Sequence, residues 1–134
     1  ARSEIVSNMD VTATMLEAAG VHIPEQMSSR SVLPLCNHSD DNWPEATICE
    51  HEGHGLNLIQ RIMITERYKY VSVIHDGDEL YDLQNDPNEI NNLLNSIEHQ
   101  EIAANMRKYI VKHIDKTKDV RADQLKLWLN SQSS

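Results

Sequence analysis

The residues best suited to chemistry form one short run, Glu50-His51-Glu52-Gly53-His54-Gly55. Imidazoles and carboxylates can both hydrogen-bond a polar ligand, and the glycines between them allow sharp turns and close backbone approach. Arg61 follows this run closely in the sequence and is a further candidate for contact with the same ligand. The spacing alone fits two interpretations equally: a ligand-binding loop, or exposed residues at the end of a strand.

Two metal-binding interpretations of these residues fail on spacing. A zinc protease needs H-E-x-x-H on a helix, whereas His51 and His54 are three residues apart and flanked by glycines. The acidic stretch from Asp76 to Asp86 lacks the glycine that an EF-hand requires at its sixth loop position, and Pro87 interrupts it. Neither motif is present.

Composition narrows the class of protein. A formal charge of −9 on 134 residues argues against nucleic-acid binding, which needs clustered Lys and Arg. No apolar run approaches the roughly 18 residues that a membrane span requires, and no signal peptide is recognisable. The acidic balance also repels anionic ligands, so any recognition of an anion must come from local groups.

The first predicted element is a helix from Asn8 to Ala19. Ser7 and Asp10 form a capping box at its start, and Gly20 supplies the left-handed residue that ends it. Its apolar face consists of Val11, Met15, Ala18 and Ala19. Residues 21–44 have little periodicity and are predicted to be an irregular connection.

Four strands and a hairpin turn are predicted next. The turn is His75-Asp76-Gly77-Asp78, which contains the strong turn signal Asp-Gly. Alternation and β-branched residues predict the strands at Ala46–Glu50, Arg61–Glu66, Tyr68–Ile74 and Glu79–Leu83. They would form a small antiparallel sheet.

Helices follow the strands. Asp86, Pro87 and Glu89 predict a short capped helix, and Asn95 with Glu98 predicts a cap before a longer one. The apolar face of the longer helix is Ile102, Met106, Tyr109, Ile110 and Ile114, and a last helix is predicted over Asp123–Asn130. The fold class is therefore α+β, with a sheet of about four strands packed on a C-terminal helix.

One long run resembles a known family. Residues 79–93 read E-L-Y-D-L-x-x-D-P-x-E-x-x-N-L and follow Tyr-Lys-Tyr-Val by one hairpin, which is similar to the C-terminal signature of sulfatases of the alkaline phosphatase superfamily. Asp10–Gly20 and Ser29–Pro34 resemble two further sulfatase segments, with Ala13 and Ser29 in place of the usual proline and glycine. Within the long run, the expected core anchors are Leu80, Leu83, Ile90, Leu93 and Leu94.

The resemblance implies a division of the chain and a missing catalytic part. Residues 1–45 would end the large α/β sulfatase domain, and residues 46–134 would form the C-terminal subdomain. The isolated chain would expose the apolar face that normally meets the larger domain. Neither Cys36 nor Cys49 begins the Cys/Ser-x-Pro-x-Arg stretch that matures to formylglycine. The nucleophile and the Ca²⁺ ligands are therefore expected upstream, in a partner domain, and the 134 residues alone are expected to be inactive.

By the same resemblance, His51, Glu52 and His54 would contact the sugar or aryl part of a sulfate ester, with Arg61 as a further pocket residue. Two alternatives stay open. The chain could be a stand-alone module that binds anionic sugars, or the C-terminal part of a related phosphoesterase or phosphonate hydrolase. The compartment and the choice between carbohydrate and aryl substrates are not determined.

Overall fold

The first helix, α1 (Asn8–Ala18), begins where its capping residues predict. The backbone N–H of Ser7 donates to Asp10 Oδ2 at 2.8 Å, and Ser7 Oγ accepts from Met9 N at 3.3 Å. These bonds satisfy amides that a helix start leaves without intrahelical partners. The helix ends just before Gly20, whose φ of +70° is the left-handed conformation expected there.

The computed structural model describes residues 4–37, 42–53, 58–74 and 76–131. The chain divides into two compact units, Ala1–Thr47 and Ile48–Ser134. Assignment of residues 1–45 to a larger α/β domain stays a prediction.

Two side chains of α1 form hydrogen bonds with the backbone of the irregular segment that follows the helix. Asp10 Oδ1 accepts from Arg30 N at 3.0 Å, and Thr14 Oγ1 accepts from Val32 N at 3.0 Å. The connection is irregular as predicted, except for a short helix, α2 (Leu33–Cys36), that the sequence analysis missed. Of the apolar face predicted for α1, Met15 is 66% exposed.

In the described part of the chain, the sheet contains four strands in the order in which they occur along the sequence. In the two registers that the structure defines, Met63 lies opposite Tyr70 and Tyr70 lies opposite Leu80, both in antiparallel pairs. The predicted antiparallel sheet is confirmed. Its strands are β1 (Ala46–Glu52), β2 (Ile59–Thr65), β3 (Tyr68–Val73) and β4 (Glu79–Asp82).

Two helices complete the second unit: α3 (Gln100–Thr117) and α4 (Asp123–Ser131). Short 3₁₀ turns at Ile97–His99 and Val120–Ala122 precede them. Lys118, with φ of 54°, ends α3 in the left-handed conformation. The buried apolar side chains of the two helices, which form the core with β3 and β4, are Ala103, Met106, Ile110, Ile114, Leu125 and Leu129.

The predicted cap before α3 was wrong. A 3₁₀ turn occupies that position, and its first-turn contact joins Ser96 Oγ to His99 Nδ1 at 2.9 Å. Tyr109, which was assigned to the buried face of α3, is 43% exposed. The heptad-like spacing therefore located the helix, while its start and one face residue were misjudged.

The short helix predicted after Asp86 was also wrong. Asp86 Oδ2 accepts from Asn91 N at 2.7 Å, which closes a loop instead of capping a helix. Glu89 has a φ of 55°, a conformation that breaks helical geometry, and its carboxylate pairs with Lys69. As a result Ile90, predicted to be a core anchor, is 76% exposed.

The end of the same run pairs with the outer strand of the sheet. Asn92 Oδ1 accepts from Leu80 N at 3.0 Å, and Leu93 N donates to Leu80 O at 2.8 Å. Leu80 itself is fully buried. The most recognisable run in the sequence thus covers the edge of β4, which would otherwise expose unpaired backbone groups.

A buried polar cluster joins β3 to α3. The Tyr70 hydroxyl donates to Asp78, which also accepts from Ser72 Oγ at 2.9 Å. Arg107 Nε donates to the Tyr70 hydroxyl oxygen at 2.7 Å. Burial and the neighbouring Asp78 raise the pKa of Tyr70 well above its usual value, so the hydroxyl stays protonated.

We expect Tyr70→Phe to destabilise the protein by about 1–3 kcal/mol, because the buried Asp78 carboxylate loses a donor. Tyr109→Phe removes the same atom from a side chain that is 43% exposed, and it should change stability by less than about 0.5 kcal/mol. Urea unfolding of the two variants measures the difference. Equal losses would mean that the Tyr70 hydroxyl does not support the cluster.

Asp82 is the second ionic anchor of the sheet. Its Oδ2 lies 2.8 Å from Arg67 Nη2, and its Oδ1 accepts from the backbone of Gln84 and Asn85 at 3.1 and 3.2 Å. The Arg67 hydrogen bond, helped by those from Asn85 and Gln84, holds the pKa of Asp82 well below its usual range.

A lowered folded-state pKa has a defined consequence for acid stability. The unfolded state takes up the Asp82 proton first, near pH ~4, so the stabilisation is complete above that pH and is lost as pH falls below it. The free energy of unfolding of Asp82→Asn should therefore fall less steeply than that of the parent chain as the pH drops from ~4 to ~2. Asp76→Asn, in an exposed turn, should retain the parent slope. Denaturant titration at each pH measures the free energy of unfolding. If its dependence on pH is the same for all three proteins, the lowered pKa of Asp82 is refuted.

Candidate functional site

Strand β1, at the edge of the sheet, carries two of the predicted site residues, His51 and Glu52. Because successive side chains of a strand point to opposite faces, Glu50 and Glu52 lie on one face and His51 on the other. The side chains of Glu50 and Glu52 are 48% and 36% exposed, and His51 is exposed. The run predicted to be a loop is thus in part a strand, since β1 extends through Glu52.

Arg61 lies in β2 and has no exposed surface. Its Nε and Nη2 donate to Asp119 Oδ2 at 2.9 and 2.5 Å, and Nη1 donates to the carbonyl of Gln60 at 2.8 Å. Nη2 also lies 3.7 Å from Glu52 Oε1 and 4.0 Å from Glu50 Oε2. One buried guanidinium therefore faces three carboxylates.

Two residues from the helical part of the chain reach the same carboxylates. Arg121 Nη1 donates to Glu52 Oε2, and His113 Nε2 lies 3.4 Å from Glu50 Oε1. Asp119 Oδ1 in turn accepts from the backbone N–H groups of Arg121 and Ala122, both at 3.2 Å, and so begins the second 3₁₀ turn. We call Glu50, Glu52, Arg61, His113, Asp119 and Arg121 the Arg61 cluster.

The structure brings together two of the four predicted site residues. Glu52 and Arg61 are 3.7 Å apart, whereas His51 points from the other face of β1 and His54 lies outside the described residues. Substrate contact by any of the four stays a prediction. Since the Arg61 side chain is fully enclosed, its direct electrostatic effect falls on Glu52 and Asp119.

Sequence reasoning missed Asp119, Arg121 and His113 as members of this cluster. Arg61 and Asp119 are 58 residues apart, and no local spacing connects them. The one available signal was physical: an arginine in an alternating apolar strand must be paired if it is buried.

Among residues 4–37, 42–53, 58–74 and 76–131, no three His, Cys, Asp or Glu side chains converge as a metal site. Cys36 and Cys49 are free and exposed. None of the helices in this part of the chain has the length and hydropathy needed to cross a membrane.

We expect Arg61→Met to cost about 3–5 kcal/mol of stability, because it leaves Asp119, whose side chain is only 11% exposed, without its cation. Arg121→Met makes the same change within the cluster, at a side chain that is 73% exposed, and should cost no more than about 1 kcal/mol. Chemical denaturation of both variants gives the comparison. Similar small losses would show that the Arg61 cluster is dispensable to the fold.

Comparisons with known proteins place these features in context. Residues 1–116 match the family model described as "N-sulphoglucosamine sulphohydrolase, C-terminal". Arylsulfatase K of Xenopus laevis is 33% identical over 107 residues, which cover 71% of this chain and 20% of that protein. The solved structure of a 2-O GAG sulfatase matches with a TM-score of 0.72 and 25% sequence identity. The match covers 79% of this chain and 24% of the sulfatase chain.

The solved structure of a phosphonate monoester hydrolase of Agrobacterium radiobacter also matches, with a TM-score of 0.74 and 18% sequence identity. The match covers 85% of this chain and 26% of the hydrolase chain. At that identity the likeness shows the fold alone. The chain spans between a fifth and a half of the length of curated relatives that it matches.

Proposed function

Since the chain belongs to the N-sulphoglucosamine sulphohydrolase C-terminal family, we propose that it forms the C-terminal subdomain of a sulfatase that hydrolyses sulfate esters of carbohydrates. The observation that carries the proposal is the match of its sheet and helices to the corresponding quarter of a 2-O GAG sulfatase. The 33% identity to an arylsulfatase supports it.

The catalytic machinery is assigned to a segment outside these 134 residues. No Cys or Ser in the chain is followed by the x-Pro-x-Arg sequence that a formylglycine nucleophile requires. The described residues offer no grouping that fits Ca²⁺. Formylglycine would supply the nucleophile and Ca²⁺ would polarise the sulfate oxygens, and neither chemistry involves a residue named here.

The role of this chain in the proposal is to line the substrate pocket beside that machinery. Glu52, with His51 and His54, would border the pocket, and its carboxylate would accept a hydrogen bond from a sugar hydroxyl. A sugar offers several such donors, whereas an aryl ring offers none of its own, so the residues favour a carbohydrate ester.

The Arg61 cluster explains how Glu52 would be held for that task. Arg61 and Arg121 approach its two oxygens, at 3.7 and 2.5 Å. The buried Arg61 guanidinium restricts the rotamers of the carboxylate before substrate arrives, which lowers the entropy lost on binding. In this proposal Arg61 is a positioning residue that acts through Glu52.

Phosphonate hydrolysis is the alternative that shares the fold. The family model and the arylsulfatase relative both favour sulfate esters, and the C-terminal fold is common to both classes. The two reactions are separated by assay on the intact protein.

The test is turnover by the chain expressed together with its upstream coding segment. We expect hydrolysis of sulfated disaccharides by the longer protein, weaker hydrolysis of aryl sulfates and phosphonate monoesters, and none by residues 1–134 alone. Robust turnover by the 134 residues, or preference for the phosphonate, would overturn the proposal.

Glu52→Gln in the longer protein should raise KM for a sulfated disaccharide about tenfold, because a charge-assisted hydrogen bond becomes a neutral one. KM for a small aryl sulfate should not change. Glu66→Gln, in the exposed turn between β2 and β3, is the matched control. An equal effect on both substrates would indicate a structural role for Glu52.

A further inference from the structure

Basic residues are segregated along this acidic chain. Residues 107–126 contain seven of its twelve Lys and Arg and three of its twenty-one Asp and Glu, a formal charge of +4. The rest of the chain has five basic and eighteen acidic residues, a formal charge of −13. The positive segment covers most of α3, the second 3₁₀ turn and the first half of α4.

A groove lies between α3 and α4. Its volume is about 240 Å³, and three cationic side chains line it: Arg107, Lys108 and Lys112. The other lining residues are Val111, Asp115, Leu129 and Asn130. We call this the basic groove.

Two cations of the basic groove, Lys108 and Lys112, are available to a ligand. Lys108 and Lys112 are exposed and make no ion pair with any residue in the described ranges. The carboxylate in the lining, Asp115, is already paired with Lys126. Arg107 belongs to the buried cluster: its Nε donates to the Tyr70 hydroxyl oxygen and lies 3.6 Å from Asp78 Oδ2.

The spacing of the groove lysines suits a polymer that carries several negative groups better than it suits a single anion. Lys108 and Lys112 are one helical turn apart on one face of α3, which separates them by about 6 Å along the helix axis. Val111, which is half-buried, adds apolar surface beside the charges, and the C–H faces of sugar rings pack on such surface. Charges beyond roughly 10 Å are screened at 0.1 M salt, so the acidic remainder of the chain does not cancel this local field.

We propose that the basic groove binds a sulfated polysaccharide at a site separate from the pocket that β1 borders. None of the predicted pocket residues lines the groove. The inference rests on the proposed function and deepens it, since a second contact with the same polymer would favour sulfated chains over small sulfate esters.

Titration of the 134-residue chain with heparin oligosaccharide, followed by calorimetry and amide shifts, tests the proposal. We expect binding that weakens as salt rises, with shifts concentrated at residues 107–115 and 129–130. Lys108→Gln with Lys112→Gln should weaken affinity about tenfold. Lys116→Gln with Lys118→Asn removes the same charge outside the groove, with an Asn that tolerates the left-handed position, and should weaken affinity less than threefold.

Equal losses in the two double variants would overturn the proposal, because binding would then follow the general field and not the groove. Undetectable binding at low salt would also overturn it. So would affinity for single-stranded DNA, or for vesicles of anionic lipid, that matches the affinity for heparin. No turnover is measured, so failure here leaves the sulfatase proposal standing, and failure of the turnover assay leaves this result interpretable.

Discussion

The second unit of the chain depends on the pairing of one buried charge. Arg61 sits on a central strand with no exposed surface, and a guanidinium cannot give up its proton at any ordinary pH. The cost of burying this charge is offset because Asp119 Oδ2 lies 2.5 Å from Arg61 Nη2. The carboxylates of Glu52 and Glu50 lie 3.7 and 4.0 Å from the same nitrogen. The pairing fixes β1, β2 and the turn after α3 relative to one another.

A second polar cluster does the same for β3. Tyr70, Ser72 and Asp78 meet Arg107 of α3, so the sheet is joined to this helix by a buried polar cluster as well as by apolar packing. Buried networks of this kind favour one arrangement, since any shift leaves polar atoms without partners. A strand that carries substrate-facing groups gains from such rigidity, because less order must be imposed when ligand binds.

Much of the fold follows from local patterns in the sequence. The four strands, α1, α3 and α4 were predicted from capping residues, alternation and helical spacing, each of which acts over a few residues. The loop after Asp86 could not be found in this way, because its Asp-Pro start suits a helix and a loop equally and tertiary pairing with Leu80 decides between them. The same limit hid the Arg61–Asp119 pair. Of the candidate site, the sequence identified Glu52 and Arg61 but not the contacts that hold them.

We propose that β1, the strand held by Arg61, borders the pocket of a carbohydrate sulfatase. Hydrogen exchange of the longer protein, with and without a sulfated disaccharide at saturating concentration, decides whether it does. We expect slower exchange of the amides at residues 50–60, with little change at the loop after Asp86. Unchanged exchange at 50–60, with protection confined to segments upstream of Ala1, would contradict it.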